Sequence, residues 1–408
     1  MFEISPNFYK KLHLWRVVKK AKKSFEYYKK IKSFEDFEII NKKKYLEHFK
    51  ELNQLGLSYD ACLNQALSQE ESRDFTPLDK ELVIGLSSGT SGQRGVFIAS
   101  ANEQMLWVAN IFSHLPWFSL FRKSKIAFFL RANSPVYENV SRSKRIQFEY
   151  FDLTIKFDDL LEKLKRFEPT VIVAPPYILS MILDDMETGK SKFSNLEIIV
   201  SVADTISEDL KVRLRKEFKC PVHEIYQATE GFLAATCRYE NLHLNDDVLL
   251  FEEKIIDEKT NRWTPIITDY YRQSQAVIRF ELNDTLVTSN KECPCGSKRK
   301  HILKVEGRND ETLLIQGQRF FPDYLRHAVQ NSLRHSIDFC IVHKAENEVM
   351  VKFEGEKDLA LVNEVANNLE KLFHSKEVFG VNIKFEFGFQ RELWQKRKRV
   401  FGLEVENA

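Results

Sequence analysis

The central part of the chain alternates short apolar runs with amphipathic segments, and this alternation constrains the fold more than any other feature. Four runs have the pattern of buried strands and three segments between them that of helices: residues 125–130, 170–174, 196–200 and 222–226, and residues 158–167, 177–186 and 207–218. This order favours an α/β fold with a parallel sheet covered on both faces. Ligands bind such sheets beyond the carboxyl ends of the strands. Two segments that directly follow strands are therefore predicted to meet one ligand: Ser201-Val202-Ala203-Asp204 and residues 227–231.

A loop rich in glycine and hydroxyl residues precedes this region, between strands predicted at Leu82–Leu86 and at 96–99. It reads Ser87-Ser88-Gly89-Thr90-Ser91-Gly92-Gln93-Arg94-Gly95. Glycines let backbone N–H groups approach an anion, hydroxyls add neutral donors and Arg94 supplies positive charge, so the loop is predicted to hold phosphates. It lacks the Gly-Lys-Ser/Thr ending and the following helix of a P-loop. A mobile surface linker of the same composition is the alternative.

The remaining segments divide the chain into parts. Residues 1–80 interleave lysines with large apolar residues at helical spacing, which predicts helices whose lysines face solvent; binding to an anionic membrane is the alternative. Ser100 with Glu103, and Thr205 with Glu208, are predicted to cap two helices. Short strands, such as 248–256 and 276–282, predict a β subdomain at 233–305. Residues 308–408 have the pattern of a small α+β domain beside a large domain of residues 1–307.

Composition excludes several classes of protein. The chain has 408 residues, 43% of them hydrophobic, which suffices for a large core. Its 61 basic and 59 acidic residues give a net charge of +2, so charge gives no case for nucleic acid as a partner. No apolar run approaches the roughly 20 residues of a membrane helix, and the start lacks a signal-peptide pattern. We therefore expect a cytoplasmic protein without a membrane span.

Six cysteines are too few for a disulfide scaffold at this length, but three of them and one histidine have the composition of a metal site. Cys237, His243, Cys293 and Cys295 would make a closed tetrahedral Cys₃His site for structural Zn²⁺. Unliganded buried thiols are the alternative, because the Cys-Pro-Cys spacing is tighter than usual.

Five segments stand in one order along the chain: residues 87–95, residues 226–231, Asp284 within 277–286, residues 307–310 and residues 396–400. Together they resemble the adenylate-forming superfamily of acyl- and aryl-CoA synthetases and peptide-synthetase adenylation domains. The resemblance is strongest to the branch with phenylacetate-CoA ligases and deazaflavin-cofactor adenylylating synthetases, and it spans residues 80 to 400. It implies a large N-terminal domain that binds the nucleotide and a small, mobile C-terminal domain. Some members of this branch have Cys and His residues placed similarly to the predicted zinc cluster.

The resemblance assigns roles to residues of the large domain. The loop at 87–92 would hold the β- and γ-phosphates of ATP and then the leaving pyrophosphate. Glu230 would bind Mg²⁺ and Thr229 would contact the α-phosphate. Tyr226 would stack on adenine, with residues 201–203 on the other side of the ring. Without the surrounding motifs, Thr229 and Glu230 are typical of a turn or a helix start, and Tyr226 of strand packing.

Further roles fall near the boundary between the domains. Asp284 would accept hydrogen bonds from both ribose hydroxyls, although Asn283 stands where the family usually has glycine. An ordinary Asn-Asp turn is the alternative. Arg308 would assist at the ribose, and Asp310 would be the hinge of the small domain. Many relatives carry a lysine shortly after this hinge, whereas Gln316 stands in that vicinity here.

The resemblance also implies a catalytic lysine in the C-terminal run Lys396-Arg397-Lys398-Arg399-Val400. Lys396 would bridge the attacking carboxylate and the α-phosphate and so reduce the repulsion between two anions. Lys398 is the alternative lysine. A solvated basic tail or a nucleic-acid patch is the alternative interpretation of the whole run.

The implied activity is that of an ATP- and Mg²⁺-dependent ligase. A carboxylate, either an aryl or an acyl acid, would be activated as an acyl-AMP anhydride with release of pyrophosphate. A thiol, on CoA or on the phosphopantetheine of a carrier protein, would then displace AMP. Two alternatives remain open: adenylylation of a hydroxyl on a cofactor-like substrate, and a non-catalytic nucleotide-binding scaffold, which would need neither Lys396 nor Glu230.

Overall fold

The computed structural model describes residues 6–74, 82–86, 94–115, 123–130, 145–330, 332–333, 337–390 and 399–402. The described helices are α1 (Pro6–Ser24), α2 (Lys42–Glu47), α3 (Tyr59–Ser72), α4 (Ala101–His114), α5 (Phe157–Phe167), α6 (Pro176–Glu187), α7 (Glu208–Phe218), α8 (Pro322–Gln330) and α9 (Leu359–His374). Two 3₁₀ turns lie at Glu26–Tyr28 and Asn309–Glu311.

The strands up to the boundary region are β1 (Leu82–Leu86), β2 (Val96–Ser100), β3 (Ser124–Leu130), β4 (Ile146–Asp152), β5 (Val171–Ala174), β6 (Ile198–Ser201), β7 (Val222–Ala228), β8 (Gly231–Thr236), β9 (Leu242–Leu244), β10 (Leu249–Asp257), β11 (Arg262–Asp269), β12 (Phe280–Glu281), β13 (Asp284–Thr288) and β14 (His301–Arg308). Those after it are β15 (Leu313–Ile315), β16 (Gln318–Phe320), β17 (Phe339–Ala345), β18 (Glu348–Phe353), β19 (Asn382–Phe387) and β20 (Val400–Phe401).

One twelve-stranded mixed sheet organises the first three quarters of the chain. Its order is β10-β11-β13-β14-β9-β8-β7-β6-β5-β3-β4, with β12 paired to β11. The neighbours from β4 to β7 are parallel, and all pairs from β7 to β10 are antiparallel. The strands predicted as a β subdomain therefore continue the parallel sheet through β7.

Helices α5, α6 and α7 cover the parallel half because each is apolar along one face. In α5 the buried residues are Leu160, Leu161, Leu164 and Phe167, at helical spacing. They pack in one core with residues of β3, β5 and β6, and every residue of β5 and β6 is buried. Strands that are buried on both faces are continuous apolar runs, which explains why the sequence predicts them well.

The N-terminal helices and the β1–β2 hairpin form a second core against the antiparallel half of the sheet. Val17, Ala21 and Phe25 pack there with Ile267 and Phe280 of β11 and β12. The residues after the boundary have a core of their own, made by α8, α9 and the four-stranded sheet β19-β18-β17-β20. None of the helices within the described residues is long and apolar enough to cross a membrane.

Most predicted elements are confirmed within two residues, and three details are wrong. Thr205 does not cap α7; Ser207 does, since its Oγ accepts a hydrogen bond from the N–H of Leu210. The strand predicted at 276–282 is only two residues long, Phe280–Glu281. Strand β4 has no counterpart in the sequence prediction.

Candidate functional site

A cleft of about 1900 Å³ opens where β6 and β7 end. Every predicted nucleotide-binding residue that the structure describes lines it: Ser201, Val202, Ala203, Asp204, Tyr226, Thr229, Glu230, Asp284 and Arg308. These residues come from four separate parts of the sequence: 201–204, 226–230, 284 and 308. The sheet topology brings them to one surface.

The segment after β6 has two features of a binding loop. Ala203 has a φ of 69°, in the left-handed region that costs an alanine about 1–2 kcal/mol. Ser201 is buried, and its Oγ has no hydrogen-bond partner among the described residues, although the residue lines the cleft. Strain and an unsatisfied buried hydroxyl are typical of a surface that is completed by a ligand.

Thr229 and Glu230 form the two-residue turn of the β7–β8 hairpin, in which Ala228 pairs with Gly231. The Thr229 hydroxyl donates to Oε2 of Glu230 over 2.9 Å. The turn is held from behind by Arg272, whose Nη1 donates to the carbonyls of Thr229 and Glu230 over 2.9 and 3.3 Å. Arg272 thus fixes the backbone of the turn, while Glu230 itself lines the cleft.

Tyr226, Asp284 and Arg308 form a second group. The Tyr226 hydroxyl donates to Oδ2 of Asp284 over 2.6 Å. Asp284 and Arg308 are directly opposite each other on the antiparallel pair β13–β14. Burial, followed by the negative charge of Asp284, raises the pKa of Tyr226 well above 10, so its phenol stays a neutral donor. One carboxylate, one phenol and one guanidinium are thus fixed side by side.

The remaining predicted site residues either lie outside the described residues or make other contacts. Residues 87–92, Lys396 and Lys398 lie outside the described residues. Asp310 lies in the 3₁₀ turn Asn309–Glu311. Arg94, predicted to supply charge to the phosphate loop, forms a two-pronged ion pair with Glu70 of α3, with N–O distances of 2.8 and 2.7 Å. Its charge is therefore largely compensated within the protein.

Sequence reasoning missed the residues that support the hairpin. Arg272 lies just after β11, in a stretch that was interpreted only as β subdomain, and it is buried. Glu103 was identified only as a helix cap, but its Oε1 also accepts hydrogen bonds from the N–H groups of Gln273 and Ser274 over 2.6 and 2.9 Å. For Arg272, the sequence offers one signal, a basic residue that follows an apolar strand. Such a pattern is too common to identify a site.

The four predicted zinc ligands converge. Their ligand atoms all lie within 4.8 Å of one another. Sγ of Cys237 is 3.6 Å from Sγ of Cys293, and Sγ of Cys295 is 3.5 Å from Nε2 of His243. A tetrahedral Zn²⁺ with Zn–S bonds of about 2.3 Å would separate its sulfur ligands by about 3.8 Å, so the spacing fits. Nδ1 of His243 lies 3.2 Å from the Arg299 carbonyl, a contact that orients metal-binding histidines and leaves Nε2 for the ion.

Comparisons with known proteins find similar sequences over part of the chain. Residues 144–261 match the family model described as AMP-binding enzyme. The chain is similar to the protein CapK of Staphylococcus aureus, with 24% identity over 66% of this chain, and to a phenylacetate-coenzyme A ligase of Aromatoleum evansii, with 21% identity over 59% of this chain. The chain spans only 59% of the length of each of these relatives.

Solved structures share the fold. A 2-hydroxyisobutyryl-CoA ligase in its postadenylation state gives a TM-score of 0.70 at 16% identity, covering 98% of this chain and 91% of that one. The same ligase in its thioesterification state gives a TM-score of 0.56 at 15% identity, covering 98% and 90%. The chain is therefore similar to AMP-binding enzymes over residues 144–261, and it has the fold of an adenylate-forming CoA ligase.

Proposed function

We propose that this protein is an ATP-dependent ligase that joins a carboxylate to AMP, releases pyrophosphate and passes the acyl group to a thiol. The observation that carries the proposal is the shared cleft: residues predicted to contact adenine, ribose and phosphate come from four separate segments and line one surface. A phosphate loop or an acidic turn alone would support nucleotide binding much less, because each is common in other contexts.

Each group in the cleft has a role in the proposed reaction. Asp284 accepts the ribose hydroxyls, with Arg308 beside it, and Tyr226 orients the carboxylate of Asp284 while its ring meets the base. Glu230 presents a carboxylate for Mg²⁺, which would neutralise phosphate charge, and Thr229 contacts the α-phosphate. Residues 87–92 hold the leaving pyrophosphate. Lys396 meets both reacting anions and lowers their repulsion.

The lining of the cleft supports an aryl or acyl acid as the substrate. Beside the nucleotide residues lie large apolar side chains of α4, β3 and β4: Trp107, Val108, Ile111, Phe112, Phe128 and Phe148. Such a surface binds apolar groups by burying their area and offers little to a highly charged substrate. The acceptor is proposed to be CoA or a carrier-protein phosphopantetheine, by analogy with the ligases that share the fold.

We also propose that residues 1–307 and 308–408 are separate domains that move about Asp310. Residues after the boundary have their own core, which supports a unit able to turn as a body. The higher TM-score against the postadenylation state than against the thioesterification state supports an arrangement suited to the first half-reaction. All six cysteines are free, as in a reducing compartment, which supports the cytoplasm as the location.

Pyrophosphate exchange tests the reaction. The purified protein with ATP, Mg²⁺ and a panel of aryl and acyl acids should move labelled pyrophosphate into ATP only when a suitable acid is present. Lys396→Ala should lower the rate by at least about a hundredfold, as expected when a charge that stabilises the transition state is removed, and Lys398→Ala should change it little. If no acid supports exchange although ATP binds, the carboxylate-activating function is wrong. Transfer of AMP to a hydroxyl substrate would then be tested.

The Cys₃His cluster is proposed to hold structural Zn²⁺ that joins β8 and β9 to the segment 293–295. One equivalent of zinc per chain is expected by atomic emission after purification without added metal. Cys295→Ser should lose the metal and lower the unfolding temperature, since metal binding contributes directly to folding. Cys62→Ser, which changes a buried cysteine elsewhere, should keep the zinc. Equal zinc content in both variants, or none in the wild type, would contradict the proposal.

A further inference from the structure

Helix α1 has an inner and an outer face of very different character. The inner face is buried in the core through Val17 and Ala21, which have no exposed surface. The outer face carries Trp15, Lys19, Lys22 and Lys23, spaced i, i+4, i+7 and i+8, so that they form one stripe along the helix, with the half-buried Val18 at its edge. The sequence predicts lysines on a solvated face, but not a tryptophan among them.

The charge of this region is one-sided. Residues 6–32 contain ten basic residues and one acidic residue, Glu26, so they carry +9 while the whole chain carries +2. Glu26 pairs with Lys29. Lys19, Lys22 and Lys23 have no carboxylate partner among the residues that the structure describes. The protein therefore does not neutralise this positive surface internally.

Trp15 is the second observation. Its side chain is 57% exposed, and Nζ of Lys19 lies 5.2 Å from the centre of its ring. A surface hollow is lined by Trp15, Val18, Lys19, Lys22, Lys23 and Lys32. Tryptophan prefers the boundary between water and lipid, where its ring is apolar and its N–H stays hydrated. Lysine stems also extend along apolar surface while the ammonium groups stay in water.

We propose that the outer face of α1 binds an anionic membrane surface peripherally, with Trp15 at the headgroup level and the lysines on acidic phospholipid headgroups. The stripe fits an extended surface because the 19-residue helix is about 28 Å long and carries no acidic residue. The chain as a whole has too little positive charge to favour nucleic acid generally. A peripheral site of this kind holds the protein at the membrane surface without a spanning helix, and it does not depend on the proposed reaction.

Vesicle sedimentation tests the proposal with the full chain. Vesicles of phosphatidylcholine containing phosphatidylglycerol should sediment the protein, and vesicles of phosphatidylcholine alone should not. High salt should release it, because headgroup attraction is screened. Lys19→Gln, Lys22→Gln and Lys23→Gln together should weaken binding about a hundredfold, from roughly 1 kcal/mol per lysine. The matched control is Lys190→Gln, Lys192→Gln and Lys216→Gln, three exposed lysines elsewhere, and it should bind like the wild type.

Trp15 gives a second measurement. Brominated phosphatidylcholine in the anionic vesicles should quench the fluorescence of the wild type, and Trp15→Phe should lose that quenching. The triple lysine variant of α1 and Trp15→Phe alter only the outer face of the helix, so neither should change the unfolding temperature. Equal binding to neutral vesicles, equal loss in the control triple variant, or no binding to anionic vesicles would overturn the proposal. Binding of a DNA oligonucleotide through Trp15 without vesicle binding would also overturn it and assign the surface to nucleic acid.

Discussion

At the scale of single residues, the hydrogen bond from Tyr226 to Asp284 determines how the candidate ribose site is presented. The 2.6 Å contact fixes one carboxylate oxygen of Asp284, a residue that lines the cleft. The sequence identified both residues but gave them separate roles, on the base and on the ribose. Their contact depends on the path from β7 to β13 through the sheet, which no local pattern records.

Replacing Tyr226 by Phe keeps the ring and removes only the donor. Because hydrogen bonds to charged groups contribute about 1.5–3 kcal/mol, we expect ATP to bind at least about tenfold more weakly. Isothermal titration with ATP measures this without any turnover. Burial raises the pKa of Tyr226 well above 10, so the ratio between variant and wild type should be constant up to pH 10. Tyr271→Phe, at an exposed position outside the cleft lining, is the control; equal affinities for wild type and Tyr226→Phe would show that the contact does not orient Asp284.

At the scale of elements, Glu103 connects α4 to the loop that supports the Thr229–Glu230 turn. Its carboxylate caps α4 by accepting from the N–H of Ser100 over 2.7 Å and also accepts from residues 273 and 274. Arg272, in the same loop, then donates to the carbonyls of the turn. A helix cap and a hairpin that lines the cleft are in this way parts of one connected structure.

Glu103→Gln should destabilise the protein by about 2 kcal/mol at pH 7, because charge-assisted hydrogen bonds become neutral ones. Burial alone would raise the pKa of Glu103, but hydrogen bonds from Ser274, Gln273 and Ser100 outweigh it and hold the pKa below 4.5. A carboxyl group whose pKa is lower in the folded than in the unfolded state stabilises the protein at pH values above its unfolded-state pKa. This stabilisation is lost as the pH falls through the folded-state pKa. The difference should therefore be constant from pH 6 to 8 and shrink below pH 4.5.

Urea unfolding of wild type and Glu103→Gln at several pH values measures this difference. Glu71→Gln, at an exposed position of α3, controls for the loss of one negative charge and should be neutral at every pH. A deficit for Glu103→Gln that stays the same at pH 4 and pH 7 would show that ionisation of the carboxylate is not the cause.

The elements also show where sequence reasoning works and where it fails. Strands β5 and β6 were predicted because they are wholly buried and apolar. Strand β4 was missed because it is the edge of the sheet and half exposed, so polar residues interrupt its pattern. The strand at 276–282 fails because Arg279, with a φ of 45°, breaks the extended backbone. The cap at Thr205 fails because α7 begins at Glu208, which makes Ser207 the N-cap; the Thr205 hydroxyl accepts a hydrogen bond from Arg326, 121 residues away.

At the scale of the whole molecule, α8 attaches the C-terminal part to the sheet beside the cleft. Arg262 of β11 is buried and donates to Glu306 over 2.7 and 2.6 Å and to the Tyr324 hydroxyl over 2.6 Å. Arg326 donates to Oγ1 of Thr205 over 3.1 Å and to the carbonyl of Glu306 over 2.5 Å. Arg326 thus contacts both the loop that follows β6 in the cleft and the strand that carries Arg308. If the C-terminal domain turns between half-reactions, these contacts must break.

Arg326→Ala removes two of these contacts while leaving the core of the C-terminal part intact. We expect faster hydrogen exchange in residues 201–205 and 306–310, a readout that does not require turnover. With a suitable acid, pyrophosphate exchange should fall about tenfold, because losing about 1.4 kcal/mol of contact energy shifts the domain away from the adenylation arrangement. Arg319→Ala, at an exposed position of the same domain, should change neither measurement. If hydrogen exchange in residues 201–205 and 306–310 is as slow in Arg326→Ala as in the wild type, the contacts of α8 do not hold the C-terminal part against the sheet. Normal pyrophosphate exchange despite faster hydrogen exchange would instead show that adenylation tolerates a loosely attached domain.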